Sequence, residues 1–151
     1  MIKKLQNNDI EISKKIRSVF QVSYAVEALI LKATDFPPLK RPLDSYVNSN
    51  TEFFGYLENQ EIAGVVEIDH NDNRTHINSL VVDPKFFRQG IGRKLMEFVF
   101  NTFDSDLFLV ETGLDNEPAT RLYKKFGFIE VKQWDTNHGI RKIKFERRTD
   151  N

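Results

Sequence analysis

Apolar positions along the chain switch repeatedly between two periods, and the switches mark out its elements. Ile2 to Gln6 read as a short strand. From Asp9 onward Ile12, Ile16, Val19 and Phe20 recur at helical spacing, with Asp9 placed to cap the helix. Val26, Leu29 and Ile30 carry that pattern to about Lys32, with a break expected near Val22-Ser23. Thr34 to Leu43 holds three of the five prolines and must leave the helix. Phe36 and Leu39 within it suggest an exposed loop on the substrate side, followed by a short helix around Leu43 to Asn48. Glu52 to Leu57 and Glu61 to His70 read as strands joined by a turn at Glu58-Asn59-Gln60. A second turn, Asn71 to Arg74, leads to a strand from Thr75 to Val82. An amphipathic helix opens after Gly90, and LFLVET (Leu107 to Thr112) is apolar on both faces, as a central strand is. Another helix runs from about Glu117, and Ile129 to Trp134 with Ile140 to Glu146 form a terminal hairpin. The order predicts an α/β (α+β) architecture: a mixed, mostly antiparallel central sheet flanked by helices.

Two stretches carry candidate chemistry. In LVVDPKFFRQGIGR (Leu80 to Arg93) an apolar strand ends at Asp83-Pro84, and a basic-aromatic loop reaches Gly90-Ile91-Gly92 where a helix starts. The first turn of a helix carries backbone N–H groups without partners and the positive end of the helix dipole. Glycines there let a diphosphate approach the main chain, and Arg88 and Arg93 add charge. The second stretch runs from Asn116 to Phe128. Ala119, Leu122, Tyr123 and Phe126 share one helix face, Asn116 stands at the N-cap, Pro118 suits the first turn and Gly127 ends the helix.

Taken together, in this order and about 25 residues apart, the two stretches resemble the GNAT superfamily of acyl-CoA-dependent N-acetyltransferases. The close match covers roughly Thr75 to Phe128, about a third of the chain. The resemblance implies a single N-acetyltransferase domain over residues 1–151, with acetyl-CoA as cosubstrate. It implies that Arg88, Gln89, Gly90, Ile91, Gly92 and Arg93 hold the coenzyme diphosphate, and that the main chain of Leu80, Val81 and Val82 pairs with the pantetheine arm. It further implies that Asn116 contacts that arm and that Tyr123 protonates the departing thiolate. Family members carry Gln or Arg three residues before the first motif glycine. Here that position is Phe87, and Arg88 is expected to take part of the role.

For the base, His70, His76, His138, Glu67 and Glu111 are available. His76 is favoured because the similar place in histone and arylalkylamine acetyltransferases holds a glutamate or histidine. If His70 pairs with Thr75, Asp69 comes opposite His76 and can orient the imidazole and raise its pKa. Glu67 and Glu111 remain as bases acting through water, and His138 is expected to have no chemical role. Acyl transfer from a thioester needs no covalent intermediate, so the absence of cysteine is no obstacle.

Composition narrows the partners. The 22 basic and 22 acidic residues cancel, with a sequence pI near 6.8, so no bulk electrostatic attraction to nucleic acid or an anionic membrane is expected. Without cysteine there are no disulfides or thiolate metal sites. The three histidines lack ligand spacing, so no metal is expected. No apolar run approaches the ~20 residues of a membrane span, and a cytoplasmic location is the default expectation. The expected acceptor is a small-molecule or peptide primary amine. Tyr24, Asp35 and Phe36 are candidates for its pocket, since a carboxylate beside aromatic rings suits a cation. Thirteen phenylalanines leave apolar surface for a homodimer contact. Two other readings stand beside the enzyme: a non-catalytic acyl-CoA-binding or regulatory module, and a nucleotide-binding domain. The latter lacks a Gly-x-Gly-x-x-Gly run.

Overall fold

A computed structural model describes residues 1–149. Seven strands form one sheet: β1 (Ile2–Leu5), β2 (Glu52–Glu58), β3 (Glu61–Asn71), β4 (Arg74–Val82), β5 (Leu107–Gly113), β6 (Ile129–Asp135) and β7 (Arg141–Arg148). Their spatial order is β1-β2-β3-β4-β5-β7-β6. Every neighbouring pair is antiparallel except β4 and β5. Among the described residues four α-helices flank the sheet: α1 (Ile10–Ile30), α2 (Leu43–Val47), α3 (Ile91–Thr102) and α4 (Glu117–Lys125). The expected architecture and element order are therefore those observed.

The sheet buries both faces. On one side α3 and α4 cover Val66, Ile68, Ile77 and Phe145, with Leu95 and Met96 supplied by α3. On the other, Ile16 and Phe20 of α1 and Tyr46 of α2 pack on Phe53, Val65 and Val81. Adjacent β3 residues such as Val65 and Val66 enter opposite cores, as successive strand side chains must. This double burial is the main force holding the helices against the sheet.

Two local expectations are corrected. The first helix has no break at Val22-Ser23; α1 is one 21-residue helix. Neither proline nor glycine occurs between Ile10 and Ile30, so nothing removes a backbone bond there. Asp9 does cap it, accepting from the Glu11 amide at 2.9 Å. The proline-rich segment is also less open than expected. Pro37–Lys40 form a 3-10 turn, and Phe36 is only 9% exposed, edge-on to Tyr24 with ring centroids 5.8 Å apart. Arg41 pins the segment's end: its guanidinium donates to both Glu67 carboxylate oxygens, at 2.8 and 3.1 Å, and lies 4.1 Å above the Tyr46 ring.

The β4–β5 pairing shapes the site. Parallel register runs from Arg74↔Leu107 to Ile77↔Val110 and then ends. At the same point β4 carries a bulge: Glu67 pairs with Ser79 while Ile68 pairs with Ile77, leaving Asn78 without a partner on β3. An extra residue bends and twists the strand that contains it. Beyond Asn78, β4 stays with β3 and β5 stays with β7, so the sheet opens into a wedge between them.

Candidate functional site

Two clefts reach this wedge. The first runs from the start of α3 along α4, in two stretches of about 640 and 470 Å³ that share Val82, Phe87, Arg88, Gly92, Pro118 and Leu122. Its outer stretch is walled by Gly90, Ile91 and Gly92 with the cations Arg88, Arg93 and Lys125. Gly90 is the N-cap of α3 with φ 74°, a left-handed conformation that costs an L side chain about 1–2 kcal/mol. As a glycine it offers no capping side chain, so the first-turn amides remain available to an anion. Arg88 also has positive φ, 65°, and among the described residues it forms no ion pair. Arg93 is shared with Glu97 at 3.1 Å.

The inner stretch is lined by Leu80 and Val82 of β4, Asn116, Ala119 and Tyr123 of α4, and Ser23, Val26, Glu27 and Ile30 of α1. The β5-facing edge of β4 has lost its strand partner here, leaving backbone groups that an extended amide-bearing chain can pair with. Val81 points away into the α1 core, so it can contribute only main chain. Asn116 caps α4, accepting from the Ala119 amide at 3.3 Å, and its side-chain nitrogen donates to Glu27 at 3.1 Å. Tyr123 is buried against Phe128 and Phe145. Burial and then the charge of Glu27 hold its hydroxyl far above the ordinary tyrosine range, so it stays a phenol at any physiological pH. A narrow groove with an anion cradle at one end and an unpaired strand edge at the other fits acetyl-CoA.

The second cleft, about 440 Å³, lies across the wedge. Tyr24, Phe36 and Pro38 wall it on one side, and Asn78, Glu111 and Lys142 on the other. Of the three residues expected in an acceptor pocket, Tyr24 and Phe36 are present. Asp35 is outside that lining, exposed and bonded to Lys40 at 2.5 Å. His138, expected to be idle, lines this cleft. Glu111 lines it too, ion-paired with Lys142 at 3.4 Å.

The base candidates separate clearly. Glu67, 3% exposed, accepts from Arg41, Thr51 and Ser79, so its lone pairs are committed to structure. His70 stacks on Phe103 at a strand end, its Nδ1 2.9 Å from the Thr75 hydroxyl. His76 faces Asp69 across β3–β4 in the expected register. Its pKa nevertheless moves the other way from expectation. Burial lowers it, outweighing the upward pull of Glu111 and Asp69, and Lys144 and Lys142 add to the fall. His76 also sits where β4 and β5 are still paired, and it lines neither cleft. No group of three or more metal-binding side chains occurs among the described residues.

The phenylalanines, expected to supply an association surface, are mostly interior. Phe87 is the exposed one, at 43%, and it lines the cofactor groove in the place where Gln or Arg was expected. Exposed apolar side chains lie instead on α1 (Val22, Leu29, Ile30) and β6 (Ile129, Val131). No helix among the described residues is long and apolar enough to cross a membrane.

The residue that sequence reasoning missed is Glu27. It lies on the back of a long amphipathic helix, and its partners Asn116, Thr112 and Lys142 come from α4, β5 and β7. Helical spacing from Ser23 and Ile30 is the one local signal, and it does not distinguish a solvated glutamate from a cleft one.

Comparison with known proteins agrees with this geometry. Among curated proteins, UPF0157 protein YqkA of Bacillus subtilis (strain 168) is 34% identical over 141 residues, which is 93% of this chain but 41% of that protein. Uncharacterized protein ML0378 of Mycobacterium leprae (strain TN) is 29% identical over 70 residues, 20% of its length. The chain thus spans well under half of these relatives. Among solved structures, the ribosomal-protein-S18-alanine N-acetyltransferase from Escherichia coli superposes with a TM-score of 0.77 at 19% identity, covering 98% of this chain and 92% of that one. PaiA N-acetyltransferase from Thermoplasma acidophilum, solved in complex with coenzyme A, gives 0.73 at 16% identity, covering 99% of each chain. These structural likenesses speak to the fold alone. A model of the acetyltransferase (GNAT) family matches residues 18–128, from the middle of α1 to the end of the α4 motif, and the chain belongs to that family, whose general chemistry is acyl transfer from acetyl-CoA.

Proposed function

We propose that this chain is an N-acetyltransferase that moves the acetyl group of acetyl-CoA to a primary amine by direct attack, with both substrates bound at once. The observation that carries the reading is the wedge itself. A groove suited to the coenzyme enters one side and a separate cleft of side chains enters the other, so a thioester and an amine can meet without passing through a common door. Holding the two in reacting geometry supplies much of the rate.

The residues divide the work. Amides of Ile91 and Gly92, with Arg88 and Arg93, hold the diphosphate end. The freed edge of β4 at Leu80 and Val82 holds the extended arm, and an edge amide there can donate to the thioester oxygen as it becomes an oxyanion. Tyr123, held as a phenol, donates toward the sulfur as it leaves. No cysteine exists to form an acyl-enzyme, which agrees with direct attack. The acceptor cleft has aromatic rings and the carboxylates Glu27 and Glu111, and its cations Arg41 and Lys142 are ion-paired with Glu67 and Glu111. The rings and Glu27 therefore suit a cationic amine, either a small molecule or a peptide N-terminus.

The test uses acetyl-CoA with a panel of spermidine, tyramine, lysine and an alanine-initiated tetrapeptide. Released thiol is read directly, since the protein contributes none of its own. At least one amine should give thiol in proportion to N-acetyl product. Tyr123→Phe should then cut kcat by about 10²-fold while acetyl-CoA affinity changes less than about twofold. Tight acetyl-CoA binding without thiol release from a broad amine panel would turn the reading toward a binding or regulatory module.

A further inference from the structure

Glu27 is common to the linings of the cofactor groove and the acceptor cleft. The reason is geometric. Ser23, Val26, Glu27 and Ile30 form one helical stripe facing the groove, while Tyr24, Glu27 and Leu31 form another facing the acceptor cleft. The stripes cross at Glu27. The helix end packs closely on β5 at Gly113, where a Cβ would come within 2.7 Å of the Leu31 side chain. Asn116 then fixes the carboxylate, donating at 3.1 Å.

An amine in the acceptor cleft is a cation at neutral pH and cannot attack until it loses a proton. We propose that the Glu27 carboxylate is the catalytic base that takes this proton, a role that rests on the N-acetyl transfer reading above. Two protons leave the ammonium in all. The first passes through Glu27 to solvent and frees the nitrogen lone pair. As the C–N bond forms, Glu27 takes the second. As the C–S bond breaks, Tyr123 gives its proton to the sulfur and is restored by the proton on Glu27. The products are the amide, the thiol and one proton released to water, with both residues back in their starting states.

The surroundings suit that work. Burial raises the Glu27 carboxyl above the ordinary carboxylate range, making it a stronger base, while Asn116, Lys142 and Thr112 keep the anion attainable. Facing it are Asn116 and Tyr123 from α4, Thr112 from β5, Lys142 from β7 and Tyr24 from its own helix. Lys142 is divided between Glu27 and its ion pair with Glu111. Burial keeps Tyr123 a phenol, and the Glu27 charge is felt at its hydroxyl, which suits a proton passing from one to the other.

Glu27→Gln keeps an oxygen for the Asn116 amide to bond and removes the base. With the amine the wild type acetylates best, kcat should fall about 10²- to 10³-fold, and acetyl-CoA affinity should change less than about twofold. The acidic limb of the kcat/KM pH profile should disappear in Glu27→Gln and persist in His76→Gln. The pH profile separates a base from a merely structural residue, since a packing defect lowers the rate without moving the limb. A Glu27→Gln enzyme with wild-type rate and an intact acidic limb overturns the proposal while leaving the transferase reading standing; so does loss of the limb in His76→Gln alone. A wild-type protein that releases no thiol with any amine overturns both.

Discussion

The two clefts that meet at the wedge are built on opposite principles. The cofactor groove depends on main chain: a left-handed glycine, uncapped helix amides and a strand edge that has lost its neighbour. The acceptor cleft depends on side chains that are held by one another, with Phe36 against Tyr24, Arg41 on Glu67 and Lys142 on Glu111. A main-chain site recognises what many ligands share, such as phosphates and amides. A side-chain site can be rebuilt by substitution without touching the fold. On the proposed reading, the coenzyme meets main chain and the amine meets side chains.

Breaking each side separately tests the contrast. The largest effect should come from Arg41→Ala, which strands the buried Glu67 carboxylate. Removing one partner of a buried pair costs about 3–5 kcal/mol, and the partial exposure of Arg41 puts it at the lower end. Chemical denaturation should show that loss, and the acceptor KM should rise while acetyl-CoA affinity stays near wild type. Next comes Gly90→Val, which forces a β-branched residue into a left-handed turn. Calorimetry should show coenzyme A binding weakened about tenfold, corresponding to about 1.4 kcal/mol, with the acceptor KM little changed. Arg88→Ala should weaken coenzyme binding by a smaller factor, and the difference should shrink as salt rises, because Arg88 is exposed and screened. If Gly90→Val altered only the acceptor KM, the division between the clefts would be mistaken.

The smallest effect is on stability. The folded-state pKa of Glu27 is raised above its ordinary value of 4.5, so the folded protein binds more protons than the unfolded chain in the window above that value. Its contribution to stability is fully present below about pH 4.5 and is lost as pH rises through the folded-state pKa. Glu27→Gln should therefore gain on wild type in unfolding midpoint as pH increases across that window. For His76 the sign reverses: its lowered pKa gives stability that is present above its ordinary value of 6.5 and lost as pH falls.

The same contrast explains what could be read from the sequence. Main-chain recognition leaves marks at fixed local spacing. Gly90 and Gly92 at a helix start, Asn116 as cap, Pro118 and Gly127 bounding α4 are each legible within a few residues. So was the Asp69–His76 register, because a short turn dictates strand pairing. Side-chain recognition leaves no such marks. Glu27 becomes interesting only beside Asn116, 89 positions away, and nothing near residue 27 signals that meeting. Glu67 looked like a free carboxylate for the same reason, until Arg41, Thr51 and Ser79 closed on it. His138 sits in a turn and comes to the acceptor cleft beside Tyr24 and Phe36 only through the fold. Asp35 adjoins Phe36 in sequence, but its side chain is exposed and paired with Lys40.

The bulge at Asn78 is defined only against β3, and neither glycine nor proline marks it. One amino acid of surplus length in β4 thus sets how far the molecule can gape. Deleting it would let β4 pair with β3 without a break, because Ile68–Ile77 and Glu67–Ser79 already lie on matching faces, and Leu80 and Val81 would keep their sides. The sheet would keep its strand order and its two cores, yet lose the bend that opens the aperture through which donor and recipient face each other.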